Sequence, residues 1–261
     1  MHYETIALSF AGGIATLALN RPHALNALTL DALIELKAAL KQVVASQEAR
    51  CLVLTGTGRG FCTGVDLSAA RVGLNPSDRD EFLRDYFVPP YELLADLGIP
   101  TIAAVNGPCA GAGMSLALTC DIVVAAESAY FLQPFVNIGL VPDMGSSWLL
   151  PQALGRARAA GLMLLGERLP ARTAADWGLI WKCVADDALD GEVQAIAAKF
   201  ASGARTAQAL IKQLLRHAPR NDLRSQMRLE VEYQGIATQT KDFAEAKRAF
   251  AEKRPPIFQH D

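Results

Sequence analysis

The sequence predicts an α/β protein in which short, buried strands alternate with helices. Apolar runs rich in β-branched residues, at 51–54, 101–105 and 121–126, lie between longer segments whose apolar residues recur at helical spacing. Hydrophobic residues make up 51% of the 261 residues and charged residues 20%, so the chain can bury a substantial core. We expect one main domain with a helical tail, because single cores stop growing at roughly 250 to 300 residues.

The N-terminal part predicts a β-hairpin followed by an amphipathic helix. Alternating and β-branched residues at 3–9 and 14–19 flank a Gly-Gly pair, which is typical of a hairpin. Apolar residues then recur at helical spacing over 30–44, and Thr29 is available as the N-cap of that helix. We therefore expect two early strands and then a helix.

Two glycine-rich turns each follow a predicted buried strand. The first glycine turn spans residues 60–66, and the second spans residues 107–113 and runs into an apolar stretch typical of a helix. Between them the sequence predicts a polar loop at 71–80 and a helix at 81–97.

The composition of these turns favours an oxyanion-binding backbone. Glycine lets the main chain approach a ligand oxygen with its N–H groups, and a helix start near Ala112 adds a partial positive charge. Glycine-rich turns between strands and helices also occur for purely geometric reasons. No nucleotide fingerprint is present, because Gly58-Arg59-Gly60 lacks the third glycine and no P-loop run exists.

The C-terminal part is predicted to be mostly helical. Helical spacing of apolar residues extends over 204–217 and 223–250, after the change of pattern that follows Pro151. These helices are apolar enough to bury a subunit interface.

Charge and residue counts argue against several functional classes. The chain has 25 Lys and Arg against 27 Asp and Glu, a net charge of −2, which disfavours a nucleic-acid surface. The N-terminus lacks the order of a signal peptide, and no apolar run reaches 18 residues, so we expect a cytoplasmic protein without membrane contact. Five cysteines form no C-x-x-C pair and four histidines lack metal-ligand spacing, which disfavours a metal site or a His-based triad.

The two glycine turns and their flanking residues together resemble the crotonase, or enoyl-CoA hydratase/isomerase, superfamily. The resemblance covers nearly the whole chain. It rests on Asn20-Arg21-Pro22, Ala24-Leu25-Asn26-Ala27-Leu28, the stretch 60–67, the stretch 105–113, Cys120-Asp121-Ile122, Gly139-Leu140-Val141-Pro142, Ala175, Gly178-Leu179 and residues 250–254.

This resemblance implies a crotonase-like spiral of ββα units over residues 1–200. It further implies a C-terminal helical region, residues 201–261, that packs homotrimers, often paired into hexamers. The implied partner is an acyl-CoA substrate. Because the substrate carries coenzyme A, no separate cofactor and no metal are implied.

The resemblance also implies site residues. Two oxyanion N–H groups correspond to Val65 and Ala112. Residues expected around the coenzyme A moiety, mostly through backbone contacts, are Ala24, Thr63, Val65, Asp66, Leu67 and Ala112. Side chains that could meet its phosphates are Arg21, Lys253 and Arg254, although such residues are also common as solvated charges or ion pairs.

The reaction is expected to differ from ordinary hydration. Hydratases of the superfamily use two glutamates, and the corresponding positions here are Ser115 and Phe135, neither of which can act as a carboxylate base. The remaining carboxylate near the expected pocket is Asp143, in a segment that resembles the bacterial ring-1,2-epoxyphenylacetyl-CoA isomerases of phenylacetate degradation; related Δ3,Δ2-enoyl-CoA isomerases share the same logic. We therefore expect an acyl-CoA isomerase with Asp143 as its base.

Three alternatives stay open at the level of sequence. Asp143 could be only the N-cap of a helix beginning near Met144. The enzyme could be an enoyl-CoA hydratase in which Asp143 and Ser115 cooperate on water. The chain could also be a non-catalytic acyl-CoA binder that keeps the fold.

Overall fold

The computed structural model describes residues 2–67 and 80–258. The strands of this part are β1 (Ile6–Ala11), β2 (Ile14–Leu19), β3 (Cys51–Gly56), β4 (Thr101–Val105), β5 (Cys109–Ala110), β6 (Ile122–Ala126), β7 (Tyr130–Leu132), β8 (Arg168–Pro170) and β9 (Lys182–Val184). The α-helices are α1 (Leu30–Ala45), α2 (Val88–Ala95), α3 (Ala112–Thr119), α4 (Ser146–Leu165), α5 (Ala171–Asp176), α6 (Leu189–Ala201), α7 (Arg205–His217), α8 (Leu223–Ala237) and α9 (Lys241–Ala251). A π-helix, Leu83–Phe87, leads into α2, and 3₁₀ turns lie at Pro22–Ala24, Phe135–Ile138, Asp186–Ala188 and Ala218–Arg220.

The strands form two sheets. The larger sheet has the order β1-β2-β3-β4-β6-β9; only β1 and β2 are antiparallel, and the other neighbours run parallel. The smaller sheet has the order β5-β7-β8. A parallel bridge between Cys62 and Cys109 joins the two glycine turns, which therefore lie side by side at the ends of β3 and β4. The predicted α/β class is confirmed.

Helices cover the larger sheet and form the core with it. α1 packs against β1, β2 and α2, whereas α6 packs against β2, β3, β4 and β6. Every residue of β4 is buried, which is typical of a central parallel strand with both faces covered.

The predicted start of α1 is confirmed, whereas the predicted start of β1 is wrong. α1 begins after Thr29, whose side chain accepts a hydrogen bond from the Ala32 N–H as predicted. β1 begins at Ile6 and not at residue 3, because the Glu35 carboxylate accepts hydrogen bonds from the N–H groups of Glu4 and Thr5. Those two residues are therefore tied to α1 before the strand starts.

Other differences concern helices. The helix predicted at 81–97 contains the π-helical turn Leu83–Phe87 and ends at Ala95, and the loop predicted at 71–80 lies outside the described residues apart from Asp80. The helical pattern at 223–250 is two helices, because Thr240 caps α9 by accepting a hydrogen bond from the Phe243 N–H.

The predicted boundary at residue 200 falls within the last turn of α6 (Leu189–Ala201), and the division into two regions stays a prediction. The helices that follow contribute little to the core of the chain: α8 has no buried residue. Among the described residues, no helix combines the length and apolar character needed to cross a bilayer.

Candidate active site

The first glycine turn is fastened to the segment that precedes α1. Asn26, which is buried, donates from its amide to the carbonyl oxygens of Thr57 and Gly60 at 3.0 and 2.8 Å. The side-chain oxygen of Asn26 accepts a hydrogen bond from the Arg21 N–H at 2.8 Å. The Asn26 backbone is left-handed, with φ of 56°, a conformation that asparagine tolerates better than most residues. The buried side-chain amide of Asn26 thus links the first glycine turn to the segment before α1.

The orientation of Val65 follows from its bridge with Leu28. The Leu28 N–H donates to the Gly64 carbonyl at 2.7 Å, and the Asp66 N–H donates to the Leu28 carbonyl at 3.0 Å. In such a parallel bridge the N–H of the residue between the two bonded neighbours, here Val65, points to the other side of its strand. The Val65 N–H therefore faces away from Leu28, and within the described chain it has no protein acceptor.

The second glycine turn presents the Ala112 N–H close to this point. Ala112 is the first residue of α3, so its N–H has no partner within the helix and lies at the positive end of the helix dipole. No protein acceptor for it is found among residues 2–67 and 80–258. A Cβ atom placed on Gly64, whose φ is 91°, would lie 3.4 Å from the Ala112 nitrogen and 3.1 Å from the Ala110 carbonyl oxygen. The two turns thus approach each other through a glycine.

A second glycine allows the turns to pack together. A Cβ atom on Gly113 would lie 2.3 Å from the carbonyl oxygen of Cys62, an impossible contact. The ring of Phe135, in the predicted site of a hydratase glutamate, reaches within 3.7 Å of a Cβ position on Gly111. Phe135 is buried and therefore closes one side of the second turn.

Tyr91 of α2 holds the start of α3. Its phenolic oxygen donates a hydrogen bond of 2.8 Å to the Ala112 carbonyl. Burial raises the pKa of this phenol well above its ordinary value, and the neighbouring Cys62 and Asp143 add to the shift. Tyr91 is therefore a neutral donor, and the Asp143 carboxylate lies within electrostatic range of it.

Asp143 does not cap a helix. The N-cap of α4 is Gly145 and the helix begins at Ser146, so the predicted start near Met144 is wrong. Met144 and Gly145 have φ of 48° and 82°, and these two left-handed residues set Asp143 apart from the helix. Left-handed backbone at a residue with a bulky side chain is uncommon and concentrates at functional sites. The Oδ1 atom of Asp143 is shielded from solvent.

Two serine hydroxyls connect Asp143 to the second glycine turn. The Oγ atoms of Ser115 and Ser146 are 2.6 Å apart, and Ser146 Oγ donates to the main-chain carbonyl of Asp143 at 2.8 Å. Ser115 Oγ also lies 3.3 Å from the Asp143 carbonyl and 3.4 Å from the Gly111 carbonyl. The Gly111 carbonyl and the Ala112 N–H belong to one peptide group, so Asp143 and the second turn meet through Ser115.

The residues predicted around coenzyme A divide into two groups. Near the first turn, the Thr63 N–H and hydroxyl both donate to the Leu25 carbonyl, while Ala24 lies in the adjoining 3₁₀ turn. Arg21 donates to the Ala27 carbonyl at 2.5 Å and to Asp66 at 3.1 Å, so its guanidinium already has internal partners. Leu67 is exposed beyond them. The structure thus brings these residues together around the first turn.

The second group consists of the two C-terminal cations. Lys253 and Arg254 follow α9, and the Arg254 guanidinium is paired with Glu245 and Glu252. These contacts match the ion-pair alternative considered for Arg254. A phosphate role for either side chain stays a prediction.

Metal binding in the described ranges would require a cluster of ligating side chains, and thiol chemistry would require an acidic thiol. No group of three or more histidine, cysteine, aspartate or glutamate side chains there could hold a metal ion. Burial raises the pKa of the Cys62 thiol to about 12, and that of Cys51 to about 12 as well. Such thiols stay protonated near neutral pH.

Asn26, Tyr91 and Ser146 were not identified from the sequence as parts of the site. Asn26 lies within the motif that carries the family resemblance, so its position was a usable signal. Tyr91 and Ser146 act through contacts 21 and 31 residues away in the chain, and no local pattern marks them.

Comparisons with known proteins agree with this geometry. The family model described as enoyl-CoA hydratase/isomerase matches residues 9–261. The chain is 45% identical to the 1,2-epoxyphenylacetyl-CoA isomerase of Escherichia coli, covering 94% of this chain and 95% of that protein. It is 44% identical to a probable enoyl-CoA hydratase of Rhodobacter capsulatus, covering 99% of each.

Structural similarity is equally extensive. The enoyl-CoA hydratase of Bacillus anthracis superposes with a TM-score of 0.93 at 32% identity, covering 99% of this chain and 100% of the other. Family, fold and the paired glycine turns thus point to the same conclusion. The chain belongs to the enoyl-CoA hydratase/isomerase family and has the crotonase fold.

Proposed function

We propose that this enzyme is an acyl-CoA isomerase that uses Asp143 as its base and the Val65 and Ala112 N–H groups as its oxyanion hole. The observation that carries the proposal is the serine link, which holds Asp143 beside the Gly111–Ala112 peptide. A carboxylate and two main-chain donors are what a proton shift next to a thioester carbonyl requires.

The proposed reaction is a proton shift through an enolate. For a 3-enoyl-CoA, Asp143 removes a proton from C2, and the electron pair moves onto the thioester oxygen, which the two N–H groups stabilise. The protonated Asp143 then returns the proton to C4, which leaves the double bond between C2 and C3. Each oxyanion donor contributes about 3 kcal/mol to the transition state, by analogy with other oxyanion holes.

The local structure favours isomerisation over hydration. Hydration needs a second group to position water, and the two hydratase positions carry Ser115 and Phe135. Ser115 is fully buried and its hydroxyl contacts Ser146, while Phe135 contributes only a buried ring. One carboxylate is sufficient for a proton shift, because the same group can take and return the proton.

For the substrate we propose 1,2-epoxyphenylacetyl-CoA, a 3-enoyl-CoA, or both. Support for the epoxide comes from the Escherichia coli relative, which is named for that substrate. The oxyanion hole would then stabilise the charge that develops on the thioester during ring opening and expansion. This assignment would place the enzyme in phenylacetate degradation.

Hydration stays the second candidate, because the Rhodobacter capsulatus relative is named a probable enoyl-CoA hydratase. Parallel assays separate the two: formation of 2-hexenoyl-CoA from 3-hexenoyl-CoA, conversion of 1,2-epoxyphenylacetyl-CoA, and hydration of crotonyl-CoA. We expect isomerisation of the first or second substrate and little hydration of the third. Faster hydration of crotonyl-CoA than either isomerisation would overturn the proposal.

The role of Asp143 is tested in the same assays. Asp143→Asn should remove isomerisation while acyl-CoA binding, followed by calorimetry, is retained. Asp187→Asn is the matched control, since Asp187 is an exposed aspartate in the 3₁₀ turn Asp186–Ala188. Turnover of the Asp143 variant at the wild-type rate would refute the assignment.

We also propose that the enzyme assembles as a homotrimer or a hexamer. Leu223, Met227 and Val231 lie four residues apart on one face of α8 and are 76%, 54% and 74% exposed. An apolar face of this kind is typical of a subunit interface. Light scattering coupled to gel filtration would measure the mass, and a monomer would contradict this proposal.

A further inference from the structure

The Asp143 segment has an unusual conformation that needs support. Met144 has φ of 48° although its side chain is bulky and packs against the core, and Gly145 follows with φ of 82°. A residue in this region is less stable than one in the ordinary helical or extended regions. The position of Asp143 must therefore be fixed by contacts elsewhere.

The Ser115–Ser146 pair supplies those contacts. Ser146 Oγ and the Ser146 N–H both donate to the Asp143 carbonyl, at 2.8 and 3.0 Å. Since each hydroxyl has one proton, Ser115 Oγ then donates to Ser146 Oγ at 2.6 Å. Both side chains are fully buried, so water does not compete for these hydrogen bonds.

The pair also connects the base to the oxyanion hole. Ser115 lies on α3, one turn after Gly111, and its N–H donates to the Gly111 carbonyl at 3.1 Å. The peptide group that contains this carbonyl also contains the Ala112 N–H. The hydroxyl and the N–H of Ser115 therefore lie between the peptide that would stabilise the enolate oxygen and the segment that carries Asp143.

A nucleophilic role for Ser115 does not fit these contacts. Its hydroxyl contacts another hydroxyl and two carbonyl oxygens, and neither group is a base able to take its proton.

We propose that Ser115 and Ser146 are positioning residues, which set the Asp143 carboxylate at a fixed distance from the Ala112 N–H. This inference rests on the proposed function of Asp143. Displacing a catalytic group by about 1 Å is sufficient to cost about 100-fold in rate, so the pair should influence kcat far more than substrate binding.

The test compares Ser115→Ala, Ser146→Ala and the double variant in the isomerisation of 3-hexenoyl-CoA or 1,2-epoxyphenylacetyl-CoA, whichever the wild type converts. Each single variant should lower kcat roughly 10-fold to 100-fold and leave KM within about 3-fold. The double variant should be no slower than the slower single variant, because both changes break one link. Thr119→Val is the control, since it removes another hydroxyl of α3, which bonds to the Ser115 carbonyl.

The outcomes separate this inference from the proposed function. Serine variants that keep the kcat of Thr119→Val, or whose effects multiply in the double variant, would overturn the positioning role. If one serine variant fails to fold, as judged by its melting curve, the other breaks the same link and decides the question. Wild-type turnover by Asp143→Asn would overturn the proposed function itself, whereas an inactive Asp143→Asn beside unaffected serine variants would remove the positioning role alone.

Discussion

The phenolic oxygen of Tyr91 donates a hydrogen bond of 2.8 Å to the carbonyl oxygen of Ala112, the residue that begins α3. This contact spans 21 residues of sequence and ties α2 to the second glycine turn. Burial is the largest of the effects that raise the pKa of Tyr91. The phenol therefore keeps its proton and remains a hydrogen-bond donor over the whole neutral range.

Removing this hydroxyl should affect both stability and rate. Tyr91→Phe removes the phenolic hydrogen bond to the buried Ala112 carbonyl, so we expect the free energy of unfolding to fall by about 1 kcal/mol. We also expect kcat to fall about 10-fold as the first turn of α3, which carries the Ala112 N–H, loosens; complete removal of an oxyanion donor would cost more. Urea denaturation and steady-state kinetics measure the two effects.

Tyr233→Phe provides the comparison for this prediction. The Tyr233 hydroxyl donates to Gln213 at an exposed position, so its loss should leave both quantities close to wild type. An unchanged kcat in Tyr91→Phe would show that the hydrogen bond to Ala112 has no part in catalysis.

A methyl group on Gly64 should damage the oxyanion hole. In Gly64→Ala the new Cβ would lie 3.4 Å from the Ala112 nitrogen, on a backbone with φ of 91°. We expect kcat to fall about 100-fold, comparable to the loss of one oxyanion donor. Gly12→Ala introduces a similar backbone strain, at φ of 57° with no atom within 4 Å, and should retain activity. Equal activities of the two variants would argue against the site.

Lys212 is predicted to stabilise the fold without contributing to the reaction. Its Nζ atom, on a side chain only 8% exposed, contacts the Ile99 carbonyl at 2.7 Å and Asp121 at 2.6 Å. Lys212→Met should cost about 2 kcal/mol of unfolding free energy, less than for a fully buried pair because Asp121 is partly exposed. Lys182→Met, which breaks an exposed pair with Glu192, should cost at most about 0.5 kcal/mol. Equal losses of unfolding free energy in the two variants would contradict this prediction.

The C-terminal segment should show a specific pH dependence. Hydrogen bonds from Arg254, then from the Ile257 N–H, lower the pKa of Glu245 to about 2 from an ordinary value of 4.5. A carboxylate with a lowered pKa stabilises the folded state above its unfolded pKa, and this contribution is lost as the pH falls from about 4.5 towards 2. Glu245→Gln should therefore melt at a lower temperature than wild type at pH 7, and the difference should shrink below pH 4.5.

The melting experiment has an internal comparison. Glu230→Gln changes an exposed glutamate of α8 and should leave the melting temperature unaltered at each pH. A difference for Glu245→Gln that is as large at pH 3 as at pH 7 would contradict the role of the carboxylate charge.

The sequence predicted those parts of the fold whose signals are local. α1 was predictable because its apolar spacing and its Thr29 cap lie in one continuous stretch, and β4 because every residue is apolar or small. β5 and β7, with two and three residues, are too short to produce a periodic pattern. The break between α8 and α9 was missed because helical spacing continues across it.

Only part of the candidate site was predictable from the sequence. Glycine turns are visible in a sequence, and together with the family resemblance they indicate main-chain donors at Val65 and Ala112. The conformation of Asp143 could not be predicted, because no local pattern marks the left-handed backbone at Met144 and the Asp143 carbonyl contacts Ser115, 28 residues earlier in the chain. Without that information a helix cap was a reasonable alternative.

In the proposed mechanism Asp143 removes and returns a proton of the acyl chain, while the Val65 and Ala112 N–H groups stabilise the thioester enolate. Incubation of phenylacetyl-CoA or hexanoyl-CoA with the enzyme in heavy water, followed by mass spectrometry, measures this step without any isomerisation. The wild-type enzyme should introduce deuterium at C2, and Asp143→Asn should not. Exchange by Asp143→Asn at the wild-type rate, or no exchange by the wild type into either thioester, would contradict the account.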